Sequence, residues 1–354
     1  MKTAGLQVTA HIMIILLASL VLLYFGQDFL IPLVLGIMAW SLLNALADHI
    51  GRLPIGASHM PRWLAMLVSM ILLLATLLLI YQILASQALA IEAAVPVYQE
   101  NFIRLFNDLV THFGIEELPT TDTLLNNIDF TMLLSWLGGS MGYLVSTLIL
   151  ILMYTAFLFS EQRVMMKKIN ALAGDPEKAA KMYRIISEIG ARIQNYVWIK
   201  TVVSMATGLL SYIILSLVGV DFAAIWALLI FMLNYIPNIG SILGVAMPAV
   251  LTLMQFDSLT PFLITTIGLG GVQFCIGNLV EPALMGKSLN LSPFMIILSL
   301  TFWGLLWGIP GMFLSVPITV MFAIVCARFE PTRGLAIILS GDGNVTEEDE
   351  PASA

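Results

Sequence analysis

The 354-residue sequence has little charge and few of the residues from which soluble enzymes build their sites: charged residues make up 10%, with two cysteines and four histidines. Cys275 and Cys326 lie inside apolar runs, which argues against a disulfide framework and makes both small packing residues. His11, His49, His59 and His112 are scattered without ligand spacing, so no metal site is expected. The sequence lacks His-Glu-x-x-His and a Gly-x-Gly-x-x-Gly turn after a strand, which argues against zinc metalloproteases and dinucleotide enzymes. Met285-Gly286-Lys287-Ser288 matches only the end of a phosphate-binding loop, because Glu281 stands where the first glycine is required. No enzyme activity, cofactor or ATP motor is expected, so any transport must be passive or driven by a gradient. The formal charge of −7, part of it in the tail Glu347-Glu348-Asp349-Glu350, argues against a nucleic-acid partner.

What the sequence has in abundance is apolar surface. Hydrophobic residues make up 59% of it and the mean hydropathy is +0.96, outside the range of soluble domains. The lipid bilayer is therefore a partner, and the expected fold is an all-α polytopic membrane protein. Apolar runs at 12–25, 29–47 and 63–84 give three transmembrane helices in residues 1–85. Residues 86–140 are acidic, with Glu92, Glu100, Asp108, Glu116, Glu117, Asp122 and Asp129 against Arg104 alone. Phe102, Phe106, Leu109 and Phe113 share a helical spacing there, Gly114 is placed to end that helix and Thr121 to cap another. This segment is expected to be a small extracytoplasmic helical cap, and it makes a homo-oligomer plausible.

Residues 141–160 form a fourth span. From Glu161 to Lys200 the chain carries Arg163, Lys167, Lys168, Lys178, Lys181, Arg184, Arg192 and Lys200 against Glu161, Asp175, Glu177 and Glu188, which places the amphipathic helices of residues 161–195 on the cytoplasmic side. Asp175-Pro176-Glu177 is a helix start, with a capping side chain, a first-turn proline and an acid at the positive end of the dipole. Residues 196–330 form a C-terminal transport core, and 331–354 an acidic cytoplasmic tail. Counted as single spans, the runs give about eight transmembrane helices with both termini inside.

Two of those runs are interrupted, at Asn234-Tyr235-Ile236-Pro237-Asn238-Ile239-Gly240 and at Trp307-Gly308-Ile309-Pro310-Gly311. Each is either a broken helix or a re-entrant segment. Backbone groups freed at membrane depth are tolerated only where protein or a water-filled cavity satisfies them, and paired broken helices point to a transporter's binding site. Asn234, Pro237, Asn238 and Gly240 are candidate substrate-binding residues, since two amides flank a gap in the helical hydrogen bonding. Gln273 and Asn278 are further candidates, interhelical hydrogen bonding being the other reading of both. Glu281 either carries a proton or cation, or lies at the interface beside Lys287 where Pro282 ends the helix. Pro310 and Gly311 are candidate hinge residues.

Taken together, Asn234-Tyr235-Ile236-Pro237-Asn238-Ile239-Gly240-Ser241, Asn278-Leu279-Val280-Glu281-Pro282-Ala283-Leu284-Met285-Gly286, Leu289-Asn290-Leu291-Ser292-Pro293 and the run from Gly308 to Pro317 resemble the autoinducer-2 exporter family, also called PerM-like permeases. The resemblance covers nearly the whole chain in the right order. It implies a multi-pass protein of the bacterial inner membrane that exports a small molecule, autoinducer-2, a furanone-like signal, being the named substrate. It brings sodium/proton antiport, associated with other members, as the second reading. A structural membrane protein with no flux is the reading from a different class.

Overall fold

Hydrocarbon offers no hydrogen bonds, so apolar runs of this length satisfy their backbone internally as helices. The structure, a computed structural model, describes residues 2–52, 54–55, 58–113, 130–256, 258–285 and 290–344. Its helices are α1 Lys2–Phe25, α2 Gln27–Gly51, α3 Arg62–Phe113, α4 Phe130–Gln162, α5 Met165–Ala173, α6 Pro176–Val218, α7 Ala223–Leu233, α8 Ile239–Gln255, α9 Leu259–Cys275, α10 Glu281–Met285, α11 Pro293–Arg328 and α12 Arg333–Leu339. A π turn over Ile276–Val280 joins α9 to α10, and a two-residue strand pair, Pro54–Ile55 with Ser58–His59, is the sheet among the described residues. Five helices are long and apolar enough to cross a membrane, or six if Ser146–Gln162 and Met165–Ala173, bent by 63°, count as one span.

One of those five does not run straight. Ser299 and Ser315 lie sixteen residues apart in α11, yet Ser299 Oγ donates to the Ser315 carbonyl at 3.1 Å. A straight helix would separate them by about 24 Å. The helix therefore folds back at Gly308, whose φ of 63° and ψ of −142° interrupt it. The other interrupted run does the same: a Cβ on Gly244 would sit 3.4 Å from Ile230, fourteen residues earlier. Both interruptions are thus the tips of helical hairpins, each returning to the side from which it enters. The all-α polytopic fold is as expected, with five to six candidate spans among the described residues where about eight transmembrane helices were expected.

Residues 1–42, 146–196 and 287–354 make one compact unit, and 43–145 with 197–286 another. In the first, Arg328 at the end of α11 pairs with Glu188 on α6, which also holds Arg192 at 3.0 Å. Glu177 N donates to Asp175 Oδ1 at 2.9 Å, the expected start of α6, and α6 then runs without a break from its charged half into its apolar half. In the second unit, Leu215, Val220, Ile230, Leu251 and Leu269 form the buried centre.

The change of composition at Ser86 does not end the third span, because α3 continues as one helix to Phe113. The first part of the acidic cap is therefore an extension of that span. Gly114, the helix expected from Thr121, and the side chains of Phe102, Phe106, Leu109 and Phe113 lie outside the described residues, as does the acidic tail from residue 345. The extension is tied to the helix ends beside it. Tyr98 OH donates to Asp221 Oδ2 at 2.6 Å, Asn101 Nδ2 to the Met254 carbonyl at 2.8 Å, and Gln255 bridges Asp221 N and the Gly219 carbonyl. Burial first, then the bond to Asp221, push the Tyr98 phenol well above its ordinary value of 10.

Candidate functional site

The tip of the α7–α8 hairpin is a tight turn that largely satisfies its own backbone. Ile236 N donates to the Leu233 carbonyl at 2.8 Å, and Ile239 N to the Pro237 carbonyl at 2.6 Å. The second of these closes a three-residue turn about Asn238, held at φ 60° and ψ −53°. That is a strained conformation for a residue with a side chain, and Asn is among the few that tolerate positive φ. The Leu233 carbonyl, beside the gap in the helical hydrogen bonding, thus accepts from inside the turn. Gly240 serves the same closure, since a Cβ there would lie 1.7 Å from the Leu233 oxygen. The close approach that Gly240 permits is made by the chain's own carbonyl.

The side chains at this tip divide. Asn234 is buried and its Nδ2 donates to Ser204 Oγ at 3.0 Å. Tyr235 OH and Thr201 Oγ1 lie 2.7 Å apart. Asn238 is exposed, and its carbonyl accepts from Ser241 Oγ at 2.8 Å. Asn278 is exposed on the π turn and its Nδ2 donates to the Phe274 carbonyl of its own helix.

Gln273 is placed differently. It is buried, at 8% exposure, and its Nε2 has no hydrogen-bond partner. It closes the floor of an open cleft of about 530 Å³ between α8 and α9, with Ser241 beside the hairpin tip, Val245, Ala249, Phe262 and Thr266 among the walls. A Cβ on Gly244 would come within 3.3 Å of Gln273 Nε2, so this glycine leaves the amide room. Thr266 Oγ1 is a second buried, unpartnered atom in the wall. The structure thus brings Gln273, Gly244 and Ser241 together beside the tip, and leaves Asn278 outside.

Glu281 does not end the helix. The chain passes through the π turn and continues to Met285 with Pro282 inside α10. Lys287 lies outside the described residues; the partner of Glu281 is Lys200, whose Nζ donates to Glu281 Oε1 at 2.5 Å with only 6% of its side chain exposed. Taking two charges out of water is costly and is recovered only through such pairing, and π turns are frequent at functional positions. Lys200 reads in the sequence as the last of the cytoplasmic cations. The signal that distinguishes it is position: it stands eight residues beyond Arg192, inside Tyr196-Val197-Trp198-Ile199-Lys200-Thr201-Val202-Val203.

The second tip, in the other unit, turns at Gly308 rather than at Pro310 or Gly311. Gly311 packs against the chain, a Cβ there falling 1.9 Å from the Trp303 carbonyl. Trp307 is buried and its Nε1 donates to the Leu23 carbonyl at 2.9 Å. Ser299 and Thr319 hydroxyls bond across the hairpin, and Thr319 Oγ1 donates to the Ser315 carbonyl at 2.7 Å. Among the described residues no cluster of three His, Cys, Asp or Glu could hold a metal ion.

The model of a family described as AI-2E family transporter matches residues 13–330. AI-2 transport protein TqsA of Escherichia coli (strain K12) is 30% identical, over 92% of this chain and 95% of the relative. Putative transport protein YhhT of the same organism is 29% identical, over 96% and 97% respectively. A putative transport protein of Borreliella burgdorferi is 32% identical, over 70% and 68%.

Proposed function

This chain belongs to the AI-2E family of transporters, and from that premise we propose that it is a secondary exporter of a small polar solute, autoinducer-2 in first place, in a bacterial inner membrane. A multi-pass membrane transporter is what the family and the apolar helices establish; substrate and direction are our reading. The observation that carries it is the similarity to a protein named for autoinducer-2 transport along nearly the full length of both chains. The α7–α8 tip with Asn234, Pro237, Asn238 and Gly240, together with Gln273, supports a solute site in that unit. Pro310 and Gly311, next to the turn at Gly308, support a hinge in the other. Reconstituted in liposomes, the full chain is expected to move autoinducer-2 down a gradient, and faster when a proton gradient is imposed. Sodium flux without solute flux would overturn the reading.

A second reading, sodium or other cation/proton antiport, is favoured by one feature, the pairing of the buried Lys200 with the half-buried Glu281 next to a π turn. A carboxylate at such depth is a functional candidate by default. Glu281→Gln keeps the shape and removes the charge. Under this reading it abolishes cation flux; unchanged cation flux leaves the pair as an anchor.

A further inference from the structure

In the unit formed by 43–145 and 197–286, several hydroxyls and amides on the helices bond to their own backbone. Thr201, Thr207 and Thr252 each turn back on a carbonyl three or four residues earlier, and Asn278 does the same. This is the ordinary solution for a polar side chain facing apolar surroundings. Ser211 Oγ, Trp226 Nε1, Thr265 Oγ1, Thr266 Oγ1 and Gln273 Nε2 depart from it, buried without a partner. Of these five, Thr266 and Gln273 line the cleft between α8 and α9. A buried donor left unmade is the expensive case among hydrogen bonds, which is why native structures rarely keep one without a use for it.

We propose that this cleft is the solute subsite, and that it takes a small ring-sized molecule with an apolar face and oxygen substituents at both ends. The inference rests on the exporter reading above and names the atoms that would recognise the solute. Gln273 Nε2 donates to a carbonyl, hydroxyl or ring oxygen. Thr266 Oγ1, which both donates and accepts, binds a hydroxyl. The carbon skeleton lies on Val245, Ala249 and Phe262. Thr266 and Gln273 are seven residues apart, two turns or about 10.5 Å along the axis. Helical side chains lean toward the N-terminus, so the longer glutamine closes part of that distance and a molecule of one ring with substituents spans the rest. A volume of about 530 Å³ is in the range of small-molecule pockets. A lipid chain fills such a cleft without pairing either polar atom. A metal cation or a proton has no acidic ligand among the lining residues.

The test uses the full chain in liposomes. In a Cys275→Ser, Cys326→Ala background, Val245→Cys is expected to react with a water-soluble, membrane-impermeant thiosulfonate. Autoinducer-2 or D-ribose, the second being a ring-sized polyol that shares the chemistry, is expected to slow that reaction about tenfold at ~10 times its dissociation constant. Gln273→Leu is expected to raise the half-saturating solute concentration about tenfold without changing the maximal rate, the loss of one hydrogen bond. Val245→Phe should abolish flux while the thermal midpoint stays within a few degrees. A thiol at 245 that does not react, or that neither solute protects, overturns the cleft; if the wild-type protein still exports autoinducer-2, the exporter reading survives and the solute binds elsewhere. Protection by ribose in a protein that does not move autoinducer-2 supports the cleft and overturns the named substrate.

Discussion

The two hairpin tips look alike in sequence, each with a proline, a glycine and an aromatic residue, but they solve the same backbone problem differently. At Asn238 the chain accepts a strained three-residue turn on a residue with a side chain. At Gly308 it uses the one residue for which φ 63° and ψ −142° carry no side-chain penalty. Around the first tip lie amides, an open cleft and an unpartnered glutamine. Around the second, Ser299, Ser315 and Thr319 bond to one another across the hairpin and Trp307 is buried. The difference teaches that a break at membrane depth is no evidence of a site until one asks where its polar groups go. The second tip spends its hydroxyls on holding itself together, whereas the first leaves hydrogen-bonding capacity beside it.

The largest effect is expected where the two tips are alike. Gly240→Ala and Gly311→Ala each push a methyl into a backbone carbonyl, at 1.7 and 1.9 Å. Each should cost about 3 kcal/mol, seen as loss of the monodisperse peak in detergent and a fallen thermal midpoint. A variant of either kind that melts like the wild type would remove the shared role of these glycines as closers of the turn.

The next effect separates the tips. Gly308→Ala should cost about 2 kcal/mol, because its backbone conformation excludes a Cβ. Asn238→Ala should cost about 1 kcal/mol, and Asn238→Gly should be neutral or stabilising. Thermal unfolding of the three side by side checks the order. Transport by Asn238→Gly sharpens it further: unchanged flux assigns the asparagine to the turn, and a raised half-saturating concentration with normal folding assigns its amide to the solute.

Ser299→Ala tests whether the second tip is held by its hydroxyls. A loss of about 1 kcal/mol is expected for a buried hydrogen bond of this kind, with solute affinity unchanged. The smallest effect lies outside the membrane, where Tyr98 ties α3 to the loop ahead of the first hairpin. Its phenol is held above its ordinary value of 10, so the stabilisation is fully present below that pH and is lost as pH rises through the higher value of the folded state. Tyr98→Phe should flatten the fall in thermal midpoint above pH ~10.

The sequence by itself determined the class of the molecule and where its helices break. Apolar runs of sufficient length leave helix as the only way to satisfy the backbone, Asp175-Pro176 starts one, and proline with glycine marks both tips. These are local properties, readable over a turn or two. The tertiary structure alone decided that the broken runs fold back, since whether a helix continues or reverses past Gly308 depends on what Ser299 meets sixteen residues on. It also decided partners. Lys200 belongs by composition to a cytoplasmic cluster and by packing to Glu281, eighty-one residues away. Gln273 differs from Asn278 in nothing the sequence displays, yet one faces a cleft without a partner and the other bonds its own helix. Hydrogen bonds and ion pairs between distant segments depend on which faces meet, and local patterning carries no record of that.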